Sequence, residues 1–148
     1  MAAGADAGAE YPPLTKCFLD AVDKFANPRA QIYRVPGESG TAAWHPIAAR
    51  EMLRRVAGLS KSLLALGIQS GDRVALFAPN CPEWHIADFA IQGAGAIVVP
   101  IYFNESPDRT AYILNDSGAR IIFTYGDAQT RKMDEWRARA AAVENVIC

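Results

Sequence analysis

The sequence predicts an α/β fold, in which a mainly parallel sheet with crossover helices follows a small N-terminal helix and hairpin. Runs rich in Val, Ile, Leu and Phe begin near Arg73, Ala96, Arg120 and Asn145, and segments with helical spacing lie between them. This alternation is typical of βαβ units. The runs are nearly continuous in apolar residues, which indicates strands that are buried on both faces, as in a parallel sheet.

The first elements lie outside the βαβ pattern. Apolar spacing from Leu14 to Ala26 predicts a short amphipathic helix that Asn27-Pro28 ends. The segments Ala30–Val35 and Thr41–Trp44 flank a turn-rich stretch from Gly37 to Gly40. They therefore predict a β-hairpin.

The clearest helix is predicted from Ala49 to Leu66, with Gly67 as its left-handed C-terminal cap. Glu51 is placed as the N3 partner of a capping box, but Ala48 occupies the N-cap position and has no side-chain oxygen to accept an amide hydrogen bond. We therefore expect a frayed first turn. The helix is expected to bury one apolar stripe, formed by Met52, Leu53, Val56, Leu59, Leu63, Leu64 and Leu66.

Three further helices link the strand runs. The first is predicted from about Pro82 to Ala94. The second begins with Ser106 as N-cap and Pro107 at the first helical position, and it ends before Gly118. The third is predicted from about Asp127 to Ala142 and contains Trp136.

Composition limits the possible classes of function. The chain has 148 residues, of which 51% are hydrophobic and 21% are charged, as expected of one domain with a core. Lys and Arg total 15 against 16 Asp and Glu, so a basic nucleic-acid surface is not expected. Three dispersed cysteines favour a reducing, cytoplasmic location. Residues 1–13 lack the features of a signal peptide and are expected to be a disordered leader.

Two glycine-containing segments could suggest phosphate binding. Gly93-Ala94-Gly95 lies where a helix leads into a strand, the reverse of the dinucleotide-binding context, so close helix–sheet packing is the favoured interpretation. No Lys follows Ser39-Gly40-Thr41, which favours a hairpin turn.

The other reactive side chains form no recognisable catalytic set. His45 and His85 have no partner at metal-ligand spacing, and Cys81, near a helix N-terminus, has no accompanying base. The carboxylates of Glu83 and Asp88 are five residues apart and do not share a helix face. Asp72 is expected to shape a turn. The mixed charges from Arg131 to Glu135 are expected to form a solvated helix face.

Four groups of short motifs between Leu66 and Ala119 resemble the early N-terminal region of adenylate-forming acyl-CoA synthetases. The likeness extends over residues 14–148, and Pro82-Glu83-Trp84 is most like the long-chain fatty acyl branch. The sequence departs from the usual family pattern at Ala48 and at Phe103-Asn104. The matching motifs are Gly71-Asp72-Arg73-Val74-Ala75, Pro79-Asn80 with Pro82-Glu83-Trp84, Ala94-Gly95-Ala96 with Val99-Pro100, and Tyr112-Ile113-Leu114 with Asp116-Ser117-Gly118-Ala119.

This resemblance implies that the parent enzyme activates a fatty acid with ATP and Mg²⁺ to an acyl-adenylate and then transfers the acyl group to CoA. The family's phosphate loop, Tyr-Gly-x-Thr-Glu segment, ribose-binding Asp and catalytic Lys all follow the matched region. Tyr125-Gly126-Asp127-Ala128-Gln129 shares only the first two letters of the Tyr-Gly motif. The resemblance therefore assigns no catalytic, cofactor-binding or metal residue to this chain.

The chain ends inside an apolar strand at Cys148. We therefore expect residues 14–148 to be a scaffold fragment of a larger synthetase N-terminal domain, inactive alone and partnered by the remainder of its own chain. Asn80 is expected to satisfy amides at the helix start and Trp84 to bury apolar area. Uncovered apolar surface predicts self-association. A cytoplasmic parent with peripheral membrane association is also expected, and the alternative is a free-standing nucleotide-binding or assembly module.

Overall fold

A computed structural model of the chain describes residues 12–36, 42–126 and 133–148. The predicted leader, the hairpin turn with Ser39-Gly40-Thr41, and Arg131-Lys132 lie partly or wholly outside these ranges. The helices and strands are, in order, α1 (Leu14–Phe25), β1 (Gln31–Pro36), β2 (Ala42–Ile47), α2 (Ala49–Ala65), β3 (Arg73–Phe77), α3 (Pro82–Gly93), β4 (Ile97–Ile101), α4 (Pro107–Ser117), β5 (Ile121–Thr124), α5 (Met133–Arg137) and β6 (Asn145–Ile147).

The later strands form one parallel sheet, in the spatial order β4-β3-β5-β6. The strands β1 and β2 form a separate antiparallel pair, in which Tyr33 lies opposite His45. The α/β class, the parallel sheet and the N-terminal helix and hairpin are therefore as the sequence predicts.

Successive side chains of the strands point to opposite faces of the sheet, and a hydrophobic core lies against each face. One cluster combines Val74 and Leu76 of β3 with Leu63 of α2 and Ile91 of α3. The other combines Phe77 of β3 with side chains of α4 and α5, including Leu114 and Trp136. Because successive strand residues point to opposite faces, the helices form a layer on each side of the sheet.

The prediction that every strand is buried on both faces is wrong for β4. It ends the sheet, and Ile97 is 53% exposed while Val98 and Val99 are only half-buried. Only the central strands β3 and β5 have the nearly complete burial that their apolar sequences indicate.

The helix α2 ends as predicted, since Gly67 adopts φ 83 directly after it. Its capping box does not form. Ala48 is the N-cap and makes no side-chain cap, while the Glu51 carboxylate accepts hydrogen bonds from Arg54 and Arg55, which lower its pKa to about 2. The amide of Ala49 instead donates to the carbonyl of Asn27 at 2.8 Å.

The substitution Ala48→Thr is expected to stabilise the protein by about 1 kcal/mol, because the new hydroxyl can accept from a free amide in the first turn of α2. Chemical denaturation of both proteins measures this difference. Ala48→Val is the matched control, since it adds similar bulk without an oxygen. Equal stability of the Thr and Val variants would contradict the cap.

Predictions for the helices after β3 had mixed outcomes. In α4, the Ser106 hydroxyl accepts from the Arg109 amide at 3.3 Å and Gly118 is left-handed, as predicted. The N-cap of α3 is Cys81 rather than Asn80. Among the described residues, α5 covers Met133–Arg137, and the turns that follow it were predicted to be helical, while the predicted start from Asp127 lies outside the described residues.

The N-terminal helix α1 has the predicted span, but its apolar face is largely uncovered. Val22 is its buried residue, and Phe18 stacks on Phe89 of α3 with ring centroids 4.4 Å apart. Leu14 and Phe25 are more than half exposed. A helical pattern indicates which side chains share a face but not whether a partner covers them.

An ion-pair cluster ties together the amino ends of β3, β5 and β6. The Arg120 guanidinium donates to carboxylates of Asp72 and Glu144 and to the Gly67 carbonyl. The Asp72 carboxylate also accepts a hydrogen bond from the Gln69 amide at 2.9 Å. This hydrogen bond closes the turn that the sequence predicts at Asp72. These hydrogen bonds lower the pKa of both carboxyl groups below their ordinary values.

The substitution Arg120→Met is expected to lower the melting temperature at neutral pH, and the deficit should shrink as the pH falls below about 4. A carboxyl group whose folded-state pKa is depressed stabilises the fold above its unfolded pKa, and this contribution is lost as pH falls through the folded value. Thermal melts from pH 7 to pH 3 test this, with the exposed Arg109→Met as control. A deficit that does not change with pH would disprove it.

Candidate functional site

The strand order creates a crevice at the carboxyl end of the sheet. The chain leaves β3 towards β4 on one side, whereas it leaves the neighbouring strand β5 towards β6 on the other. In open α/β sheets, ligands bind where adjacent strands have connections that diverge in this way. The loops that follow β3 and β5 therefore mark the candidate site.

An apolar cavity of about 350 Å³ opens at this end of the sheet. Its floor is formed by strand residues such as Leu76 and Phe123, and Trp84 of α3 forms a wall. Arg55 and Glu83 are the charged residues in its lining. The full lining is Arg55, Leu59, Leu76, Ala78, Glu83, Trp84, Ile86, Ala87, Phe123, Thr124, Tyr125, Ile147 and Cys148.

A second, more polar cavity of about 550 Å³ separates the hairpin from the loop between β3 and α3. The hairpin contributes Arg34 and Trp44, and the loop contributes Asn80. Glu83 and Tyr125 line both cavities, so the two are neighbouring parts of one crevice.

His85 joins the hairpin to α3 inside the polar cavity. Its Nδ1 atom lies 2.9 Å from Nε2 of Gln31 and 3.1 Å from the carbonyl oxygen of Cys81. Nδ1 carries at most one proton, so in one tautomer it accepts from the Gln31 amide and in the other it donates to the Cys81 carbonyl.

The Cys81 thiol and the Tyr125 phenol are not activated. Burial raises the pKa of Cys81, which opposes the reactive thiolate that a helix N-terminus could favour. The negative charge of Glu83 is the main cause that raises the pKa of Tyr125. At the end of β5, the Thr124 hydroxyl donates to the Cys148 sulfur at 3.2 Å.

The start of α3 does not fit a nucleotide phosphate. Phosphate groups bind at this position through free amides and the positive end of the helix dipole. Here Pro82 occupies the first turn and has no N–H group, while Glu83 adds a negative charge. Pro82 therefore removes one amide donor and Glu83 opposes the negative charge of a phosphate, and among the described residues that line the two cavities Glu83 is the one carboxylate side chain that could face Mg²⁺.

The remaining candidate residues lie outside a common site. His45 is exposed on β2, and the Asp88 carboxylate accepts from Gln92 rather than pairing with Glu83. Across the residues that the structure describes, no group of His, Cys, Asp and Glu could hold a metal ion. Likewise, no described helix is long and apolar enough to cross a membrane.

Gly93-Ala94-Gly95 has the predicted packing role, but its partner is a helix rather than the sheet alone. A Cβ atom on Gly93 would lie 2.9 Å from the Ser60 hydroxyl of α2, and Ser60 donates to the Ala90 carbonyl across the helix pair at 2.9 Å. Gly95 adopts φ 78, which allows the turn into β4.

Several crevice residues gave no signal in the sequence. Gln31, Arg34 and Trp44 belong to the hairpin, and Tyr125 follows β5, far away in the chain. Their proximity depends on the strand order, which the spacing of apolar runs does not specify. The rule on diverging connections would have indicated this region only after that order was known.

Similarity to known proteins agrees with the fold. Residues 20–148 match the AMP-binding enzyme family. The long-chain-fatty-acid–CoA ligase FadD15 of Mycobacterium bovis is 33% identical over 104 residues, which are 70% of this chain and 17% of that protein. The long-chain-fatty-acid–CoA ligase heimdall of Drosophila melanogaster is 28% identical over 138 residues, 92% of this chain and 20% of that protein.

Among solved structures, the N-terminal domain of FACL13 from Mycobacterium tuberculosis superimposes with a TM-score of 0.73 at 27% identity, covering 90% of this chain and 33% of that one. The chain thus spans about a fifth of the length of the two ligases. Its matched portion is the N-terminal part of such enzymes, and the long-chain-fatty-acid–CoA ligases are its homologues. The chain belongs to the AMP-binding enzyme family.

Proposed function

We propose that this chain is a scaffold segment of an AMP-forming long-chain acyl-CoA synthetase. The parent enzyme would use ATP and Mg²⁺ to convert a fatty acid into an acyl-adenylate, with release of pyrophosphate, and would then transfer the acyl group to the thiol of CoA. In this role the parallel sheet supports reactive groups supplied by the remainder of a longer chain. The parent would be cytoplasmic, with peripheral contact to membranes.

The observation that carries this proposal is the start of α3. It lies at the point of the sheet where an α/β protein binds a ligand, yet Pro82 removes an amide and Glu83 repels phosphate. The family relationship supports the reaction class, and the matched residues make up only 17% and 20% of the two ligases named above. A support role for this segment is consistent with membership of an enzyme family and with the poor fit of a phosphate at the start of α3.

Pyrophosphate release tests the proposal. The 148-residue chain, incubated with ATP, Mg²⁺, palmitate and CoA, is expected to release none, while a full-length long-chain-fatty-acid–CoA ligase serves as the positive control. Turnover by the chain alone would overturn the assignment of a support role.

A second candidate is a free-standing nucleotide-binding module, which the polar cavity favours. Arg34 could contact a phosphate, and Trp44 and Tyr125 offer exposed rings for a base. Calorimetry with AMP and ATP is expected to show no binding in the micromolar range. Micromolar binding that Arg34→Gln abolishes would replace the scaffold proposal with this one.

A further inference from the structure

The amino end of the sheet joins β3 to both of its neighbours through backbone hydrogen bonds. The Gly71 amide donates to the Gly95 carbonyl at 3.0 Å, just before β4, and the Arg120 amide donates to the Arg73 carbonyl at 3.0 Å, just before β5. Gly71, Arg73 and Gly95 belong to the short motifs by which the chain resembles its family. They lie at the opposite end of the strands from the crevice, so their contacts concern the arrangement of the strands.

The register of β5 is only weakly specified by its apolar side chains. Ile121 packs in one core and Ile122 in the other, and both side chains are fully buried. Because successive residues face opposite sides, a shift of β5 by one residue would exchange these two identical side chains between the cores. Groups outside the strand must therefore select the observed register, in which Val74 lies opposite Ile121.

Two arginines, Arg73 and Arg120, make contacts that fit this register, and we call them the arginine clasp. The Arg73 guanidinium donates from Nε to the Ser117 carbonyl at 2.7 Å and from Nη2 to the Gly118 carbonyl at 3.4 Å, where α4 leads into β5. In the opposite direction, the Arg120 guanidinium donates to the Asp72 carboxylate beside β3. A shift by one residue would displace each partner by about 3.3 Å, beyond hydrogen-bonding distance.

The end of α4 is shaped to receive the Arg73 guanidinium. The last carbonyl groups of a helix carry partial negative charge, which favours a cation there. Gly118 adopts φ 63, and a Cβ atom at this position would lie 2.8 Å from Nη2 of Arg73. The close approach of Arg73 to the helix end therefore depends on the absence of a side chain at position 118.

We propose that the arginine clasp fixes the register of β5 against β3. The apolar side chains hold β5 in the sheet, and the two guanidinium groups select its position along β3, because one position satisfies both sets of acceptors. Buried polar groups can select one register among several that apolar packing allows. This inference goes beyond the proposed function, since it concerns the assembly of the sheet and does not depend on the reaction of the parent enzyme.

Nuclear magnetic resonance of the double variant Arg73→Met/Arg120→Met tests the proposal. In the wild-type chain, cross-strand nuclear Overhauser effects are expected to pair Val74 with Ile121 alone. The double variant is expected to retain its helices but to give a second set of β5 resonances, in which Val74 pairs with a residue next to Ile121. A folded double variant that shows the wild-type pairing alone would overturn the proposal.

The matched control is the double variant Arg54→Met/Arg109→Met. It removes the same number of positive charges, but both arginines are exposed on helices and neither contacts a strand. This control is expected to keep the wild-type pairing alone. A second set of β5 resonances in the control would show that the lost charge, rather than the lost contacts, shifts the strand.

Two glycine variants test the clasp while both arginines stay in place. Gly118→Ala adds a Cβ atom that displaces the Arg73 guanidinium, whereas Gly67→Ala adds one with no atom within 4 Å, and both glycines have positive φ. Both variants therefore share the backbone cost of a side chain at positive φ. Hydrogen–deuterium exchange in β5 is expected to be several-fold faster in Gly118→Ala than in Gly67→Ala, while exchange in β4 is the same in both. Equal exchange in β5 for the two variants, or an equal acceleration of β4 and β5, would contradict the proposal.

Discussion

Replacing Trp136 with Ala is expected to lower the free energy of unfolding by about 3–5 kcal/mol. This side chain is the largest among the fully buried ones, with 0% exposure, although it lies in a helix of only five residues. It packs with Phe77, Leu114 and Ile122 between the sheet and α4. Urea denaturation monitored by circular dichroism measures the loss.

Two control variants test whether the loss of stability comes from removing a buried side chain or from removing any tryptophan. Trp44→Ala removes a tryptophan that is 66% exposed, and it is expected to change stability by less than about 0.5 kcal/mol. Trp136→Phe should cost less than half as much as Trp136→Ala, because it keeps a large ring and removes an indole N–H that finds no acceptor among the described residues. Equal losses at positions 44 and 136 would show that the second core is not formed as described.

Replacing Leu63 with Ala is expected to destabilise the protein by about 2–5 kcal/mol. Leu63 is completely buried on α2 and packs against Leu76 and Ile91 in the core on the opposite face of the sheet. The truncation leaves a cavity that rigid strands on one side and α3 on the other would not close fully. The midpoint of urea unfolding measures the effect.

The neighbouring residue gives an internal control for this prediction. Leu64 is 52% exposed, so Leu64→Ala is expected to change stability by less than about 0.5 kcal/mol. If both variants lost equal stability, α2 would be rotated from the orientation described here.

Local chemistry made several elements predictable from the sequence. Ser106, Pro107 and Gly118 bound α4 because each suits a specific terminal backbone position, and that preference requires no distant residue. The strand β3 was predictable because four apolar residues in succession, Val74 to Phe77, follow Arg73, and all four are buried. Family membership was likewise visible in short motifs, and the comparisons confirm it.

Other predictions failed where burial depends on distant neighbours. The α2 stripe was predicted to include Leu64 and Leu66, yet these are 52% and 46% exposed, because α3 covers only part of that face. The strand β4 has a core-like sequence but lies at an edge. The predicted end of α5 at Ala142 was wrong, since helical composition continues beyond Arg137 where the backbone turns towards β6.

The sequence by itself determined the α/β class, most element boundaries and the family, because helical and strand periodicity, capping residues and short motifs are local properties of the chain. Only the tertiary structure decided that β5 lies between β3 and β6, and hence that Arg34, His85 and Tyr125 meet at one crevice. The physical reason is that the packing of whole helices against sheet faces selects the strand order. No single segment of the sequence contains enough information to specify that packing.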